Sequence, residues 1–364
     1  MAALAVDVGA LFNTRADLQH AADAAALAGA SAYITDTMLK VRQGSDESGL
    51  LSEVEYMVDN RASTTSMLNP SFAAGGTAVA VNDIAIGWLD VTSATSPLSK
   101  LGVAGGNHNA VEVTVRRSDE GENGPLELFF AGIFGVYNTN VSASATAVFD
   151  DRVSGFDVGD GMGALLPFTI HKDVYENQLI VGGDKYGYDE PMDTVTEDPD
   201  GIGEVNLYPY DPTPGNFGLL NLPSSTGSDA ATHKDQIDYG VPPEDIEPDI
   251  GSSTFTFSDA DGNPVTYDLA GNPGLEVTLK ANLDNRVGDV IAFLLHDEAT
   301  DTGANTMFHI VGIRFGRLMY SQLTGGPAHQ GVWIQPVIYA GNGIHVDKNA
   351  PSTNGTMGRL VLAR

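Results

Sequence analysis

The sequence contains no cysteine, and basic residues are scarce: 18 Lys plus Arg stand against 48 Asp plus Glu, a formal charge of −30. Without thiols there is no disulfide, no thiolate nucleophile and no thiolate metal site, and the compartment stays open, because such a chain tolerates an oxidising envelope as well as a cytosol. A surface this acidic repels phosphates and anionic lipid heads, which disfavours nucleic acid as a partner and any membrane role carried by basic patches. Long apolar runs are missing too: Ala2 to Val6 is too short to span a bilayer, and no complete signal peptide is present. The histidines, at 20, 108, 171, 233, 296, 309, 329 and 345, never fall into His-Glu-x-x-His spacing, and neither a Gly-x-Ser-x-Gly elbow nor a Walker A loop occurs. His309, inside an apolar alternating run, reads as a structural histidine. No catalytic pair is nominated, and a hydrolase is the remote alternative.

What is present begins with one alanine-rich stretch. Residues 3–34 lack proline, and alanine is the best helix former, so a long N-terminal helix is predicted. Leu4, Val8, Leu11, Leu18, Ala22, Ala25 and Gly29 recur at steps of three and four on one face, which Arg15 interrupts. A face this narrow and small allows close approach to another helix or a sheet. Two readings stay open: a packed helix of a globular domain, or a membrane-proximal or partner helix whose first turns, Ala2 to Leu11, end a membrane-spanning segment.

Downstream, Leu50 to Met67 shows a second helical face of Leu51, Val54, Met57, Val58 and Ala62. The period then changes. Residues 77–91 and 109–117 alternate like half-buried strands, with Val111, Val113 and Val115 on one side and a loop at 93–108 between them. Leu126 to Phe134 reads as a short apolar helix, and 140–149 as a strand with Val141, Ala143, Ala145 and Ala147 inward. Residues 1–150 therefore predict an α+β unit, helices covering a sheet. Residues 151–364 predict a mainly β region of sandwich-like or barrel-like packing: a buried strand at 165–173, acidic proline-rich loops at about 186–250, and a hairpin over 254–269 turning at Asp261-Gly262. A short helix ending near Gly288 follows, then strands from Val290, over 306–325 and over 332–340.

Calcium is the one metal with local support. Asp198, Asp200, Asp259, Asp261 and Asn263 lie in glycine-containing turns and offer hard oxygen ligands, yet neither DPDG nor DADGN completes an EF-hand loop. Turn chemistry alone explains Asp259, Asp261 and Asn263, and Asp157 and Asp160 are no stronger. No other cofactor is indicated.

The stretch AALAVDVGALFNTRADLQHAADAAALAGA, residues 2–30, resembles the N-terminal motif of the TadG-like (tight-adherence) Flp pilus-assembly proteins. Ala5 to Gly9, Leu18-Gln19 and Ala22 to Ala28 carry the pattern. NAVEVTVRR and LELFFAGIFGVYNTNVSASATAVF, within 109–149, resemble its second conserved part. LLPFTIHKDVYEN, GNFGLLNL, FHIVGIRFGRLMYSQLTGG and VWIQPV are similar to the long TadG-related proteins of planctomycete-type bacteria. In that family the motif follows and partly completes a transmembrane helix, which this chain lacks, so a soluble fragment or a processed form is expected. The resemblance implies a non-enzymatic protein of the cell envelope, on its periplasmic or extracellular side and anchored to the inner membrane in full-length form. The implied partners are other pilus-assembly or envelope proteins, with self-association through the N-terminal helix, as in a fibre subunit or adhesin, as the alternative. Some relatives carry an adhesion domain with an Asp-x-Ser-x-Ser metal motif; that motif is absent here.

Overall fold

The computed structural model describes residues 2–44, 47–71, 75–91, 99–100, 108–159, 165–208, 215–224, 229–274, 276–300, 306–326 and 329–363. The chain divides into two compact units, residues 1–150 with 360–364, and residues 151–359.

The N-terminal unit is built on α1 (Ala2–Ala30), followed by α2 (Asp36–Arg42) and α3 (Glu47–Met67). Its strands are β1 (Ile84–Trp88), β2 (Ser99–Lys100), β3 (Ala110–Arg117), β4 (Leu126–Glu127), β5 (Asn138–Thr139) and β6 (Val141–Asp150). β3 is central, antiparallel to β1 on one side and to β6 on the other, with Val113 opposite Ala145 and Val115 opposite Ala143. The predicted inward residues Val111, Val113, Val115, Val141, Ala143, Ala145 and Ala147 are all buried. Small side chains on both strand and helix let α1 lie close to the sheet. A Cβ on Gly29 would sit 3.2 Å from Val111, 3.3 Å from Val58 and 3.4 Å from Ala62, so this glycine is where helix, helix and strand converge. Polar ties fix the register: Gln19 Nε2 donates to Ser144 O at 3.1 Å and the Tyr33 hydroxyl to Ala110 O at 3.1 Å. The last residues of the chain return to this unit, where Ala363 N donates to Thr146 O.

Between the two helices that the sequence predicts, α2 buries Met38, Leu39 and Val41 and is capped by the Thr35 side chain. Two expectations for this unit are corrected. Residues 77–91 give one strand from Ile84, preceded by a 3-10 turn at Val81–Asp83. Leu126 to Phe134 is not an apolar helix: β4 pairs antiparallel with β5, and only Ala131–Phe134 form a 3-10 turn, closed by Gly135 at φ 82°. The loop expected at 93–108 lies outside the described residues apart from Ser99, Lys100 and His108.

The C-terminal unit runs β7 (Val153–Asp157), β8 (Leu165–His171), α4 (Lys172–Val181), β9 (Gly187–Asp189), β10 (Thr194–Thr196), β11 (Val205–Asn206) and β12 (Phe217–Leu220). It continues with α5 (Ala230–Tyr239), α6 (Pro243–Ile250), β13 (Thr254–Thr256), β14 (Tyr267–Asn272), α7 (Lys280–Asp284), β15 (Val290–Thr300) and β16 (Thr306–Gln322). β17 (Gly331–Pro336), β18 (Tyr339–Ala340), β19 (Ile344–Val346) and β20 (Met357–Leu362) complete the chain. A seven-stranded sheet has the order β11-β17-β16-β14-β12-β8-β15, and β15 pairs with β16 as well, so the hydrogen bonding returns on itself. Both faces are buried, and alternate residues go to different cores: Ala292 and Leu294 to one, Ile291, Phe293 and Leu295 to the other. The first core is closed by the three-stranded sheet β13-β7-β19, with Phe156 edge-on to Phe315 at 5.5 Å. The second is closed by helices, through Tyr175 of α4, Ile237 of α5 and Leu283 of α7.

Those helices correct the expectation that 186–250 consists of acidic proline-rich loops, since α5 and α6 fall within it. α5 is capped by Asp229, whose carboxylate accepts from Ala231 N and Thr232 N, and α6 starts with Pro243 in its first turn, where a missing N–H costs nothing. The expected hairpin over 254–269 is found next to its turn, where Gly262 has φ 85°, Asp259 N donates to Asn263 O, Val265 N donates to Phe257 O and Ser258 bridges antiparallel to Pro264. Farther out the arms part, β13 joining β7 and β14 joining β12 and β16.

Candidate apolar surface of the N-terminal unit

From Leu18 onward α1 follows its sequence pattern: Leu18, Ala22, Ala25 and Gly29 are buried. Before Leu18 the buried positions are Asp7, Ala10 and Thr14, whereas Leu4 and Val8 are 56% and 45% exposed, Leu11 is half-buried and Phe12 is exposed. Leu4, Val8 and Leu11 thus lie on the predicted face without entering the core, and the buried positions of the first turns run through Asp7, Ala10 and Thr14 instead.

The Asp7 carboxylate accepts from Phe129 N at 2.7 Å, from Phe130 N at 3.0 Å and from Ala131 N at 2.7 Å. It acts as the N-terminal cap of the Ala131–Phe134 turn, supplied by a different element of the unit. Burial pushes its carboxyl upward, but the three N–H bonds outweigh that and hold it below the ordinary carboxylate value. The Asp7 carboxylate therefore latches one short loop to the first turns of the helix.

That loop presents Phe129, Ile133, Phe134, Val136 and Tyr137 to solvent; Ile133 and Phe134 are both 79% exposed. No charged residue occurs from Leu128 to Phe149, and from Ala2 to Thr14 the one charge is the latched Asp7. In a chain of net charge −30, the carboxylates stop where this surface begins. Monomeric proteins seldom leave so many large apolar side chains together in water, and such surfaces mark protein or membrane contacts. Sequence reasoning placed Leu4 and Val8 but missed Asp7, Phe12 and the loop. The visible signal was an aromatic run containing Gly132 and Gly135, too glycine-rich to continue a buried helix.

The calcium candidates are placed as follows. Asp259 accepts from Asp261 N at 2.9 Å and Asn263 N at 2.8 Å, and Asn263 Nδ2 donates back to it, which closes the turn. Asp200 accepts from Ile202 N and from Gln335 Nε2, and it ties a loop to β17; Asp198 contributes its backbone beside Gly187. Asp157 pairs with His345, and Asp160 lies outside the described residues. Among the described residues no three His, Asp or Glu side chains converge as a metal site. His309 Nδ1 lies 2.9 Å from Asp268, its direct cross-strand neighbour.

Residues 2–147 match a family model described as "Putative Tad-like Flp pilus-assembly". The match holds α1, the loop and the Asp7 latch between them. No curated protein and no solved structure matches the chain. Among the described residues no helix is long and apolar enough to cross a membrane.

Proposed function

We propose that the chain is a non-enzymatic envelope protein of the Flp/Tad pilus apparatus, attached through the first turns of α1 and the loop that Asp7 latches to them. The observation that carries this reading is an uncharged apolar surface, rigidly held, within the residues that match the pilus-assembly family. The surface meets the interfacial zone of a bilayer on the periplasmic or extracellular side, and other pilus-assembly or envelope proteins bind around it. Aromatic side chains at such an edge suit the headgroup region, where one end of the ring is apolar and the other wet.

The test is co-sedimentation of the full chain with neutral phosphatidylcholine vesicles. Binding that is lost in a Phe129→Ser, Ile133→Ser, Phe134→Ser variant of unchanged melting temperature supports the reading. Equal binding by wild type and variant overturns the role of the loop. A second reading, self-association into fibres, is favoured by the exposed Leu4, Val8 and Phe12 at helical spacing. Filaments seen by electron microscopy without lipid, dissolved by Phe12→Ser, would select it.

A further inference from the structure

The C-terminal unit carries a second aromatic group of a different kind, in which Tyr320 is exposed, Trp333 half-buried and Tyr186 buried. Along the outer edge of the seven-stranded sheet, Asn206 of β11 stands opposite Trp333 of β17, and Trp333 opposite Tyr320 of β16, so the three form one cross-strand row on a single face. Tyr320 and Trp333 lie 5.6 Å apart at 35°, and Tyr186 continues the row by stacking on Tyr320 at 5.5 Å and 24°. Together with Gln178, Lys185, Glu204, Gln322 and His329, these rings line a cleft of about 600 Å³, within the roughly 300–1,000 Å³ typical of small-molecule sites.

The frame of the cleft is fixed from behind. Gln178 at the end of α4 pairs its side-chain amide with both backbone groups of Asn206, accepting from its N at 2.7 Å and donating to its O at 3.1 Å. The Glu204 carboxylate accepts from Lys185 N at 3.0 Å and Tyr186 N at 2.9 Å, which holds the Tyr186 ring in place. Gly331 keeps the row open: a Cβ there would lie 2.5 Å from the Asn206 amide and 2.7 Å from the Trp333 ring. Above the rings, Lys185 Nζ sits 4.8 Å from the Tyr186 centroid and donates to the Tyr186 hydroxyl.

We infer that this cleft binds a neutral oligosaccharide, with its sugar rings laid on Tyr320 and Trp333 and its hydroxyls met by Lys185, Gln322 and His329; the Tyr320 hydroxyl itself donates to Gln322 Oε1. A pyranose presents an apolar C–H face and a polar rim, and a line of amphipathic rings with hydrogen-bonding groups at its margins complements both. Nucleotides also stack, but their phosphates are repelled by a chain of charge −30. The reading is binding rather than cleavage: glycoside hydrolysis uses two carboxyl groups, and among the described residues of the lining the one carboxylate, Glu204, is occupied by backbone N–H groups.

The sequence has two tryptophans, so the Trp88→Phe chain reports Trp333 alone. Its emission is titrated with maltotriose, cellotriose, chitotriose and, separately, a proline-rich peptide. A saturable change with at least one trisaccharide is expected, about tenfold weaker or absent in Tyr320→Ala and retained in Tyr320→Phe, which keeps the ring. Calorimetry on Trp333→Ala, with folding checked by circular dichroism, gives the same loss. No response to any trisaccharide up to millimolar concentration, a response to the peptide alone, or unchanged affinity in Tyr320→Ala overturns the inference.

Discussion

Two groups of aromatic side chains distinguish this chain, and they differ in exposure and in what accompanies them. From Leu128 past Phe129, Ile133 and Phe134 to Phe149 the sequence carries no charge, and the loop is held through its backbone by one carboxylate. Around Tyr320 and Trp333 the rings are interleaved with amides, a lysine and a carboxylate, and the backbone behind them is a paired sheet. An aromatic surface without hydrogen-bonding groups can distinguish little beyond water from an apolar phase. One with them can recognise a shape. The cores differ in the same sense, since α1 is packed through alanine and glycine whereas the C-terminal unit encloses large rings and a buried histidine.

The strongest way to break the comparison is to exchange the two readouts. Serine at Phe129, Ile133 and Phe134 should abolish vesicle binding while leaving Trp333 emission and saccharide titrations unchanged, and Tyr320→Ala should do the reverse. If either variant disturbs both, the two surfaces are not independent.

Next in size is the pH response of the C-terminal core. His296 is fully buried, accepting at Nδ1 from the Thr169 hydroxyl and donating from Nε2 to Gly215 O, and burial lowers its pKa to about 4 against the opposing Gly215 bond. The folded value lies below the unfolded one, so its contribution is fully present above pH of about 6.5 and is lost as the pH falls to about 4. Its magnitude is roughly 3 kcal/mol at most. Ring-proton NMR should show His296 titrating near 4; a value near 6.5 would refute the burial argument.

The small-residue packing of α1 is tested by Gly29→Leu. With Val111, Val58 and Ala62 already within 3.4 Å of a Cβ, the larger side chain should cost about 1–3 kcal/mol in urea unfolding of the N-terminal unit. An unchanged midpoint would mean that the helix shifts freely on its sheet. The smallest effect is local. Asp7→Asn should speed hydrogen exchange at Phe129, Phe130 and Ala131 without a comparable change at Leu18. Because the Asp7 carboxyl is held below its ordinary value, the same amides in the wild type should stay protected above the usual carboxylate range and lose protection as the pH falls through the lowered pKa.

Periodicity in the sequence exposed what repeats and was blind to what is tied from afar. The alternation of Val111, Val113 and Val115, and of Val141 to Ala147, is intrinsic to a strand with one buried face, and it is found intact. In the first turns of α1, Asp7 is bonded to a loop more than a hundred residues away, which helical spacing cannot express. The arms of the 254–269 turn alternate correctly, yet their partners are chosen by distant strands. α5 and α6 were obscured by charge and proline, although Asp229 and Pro243 are ordinary start signals. The saccharide cleft had no local signature at all, since its rings come from three separate segments.

One feature of the C-terminal sheet also governs how the chain reaches its shape. Thr169 and His296 meet 127 residues apart, across the parallel pairing of β8 and β15, and Gln19 and Ser144 in the N-terminal unit meet 125 apart. Each unit therefore closes a long loop, at a cost in chain entropy, before its contacts repay it. Tyr320 and Trp333 extend from the ring of strands along β16 and β17. Their fluorescence therefore reports when the ring closes, independently of the helix-on-sheet packing of α1.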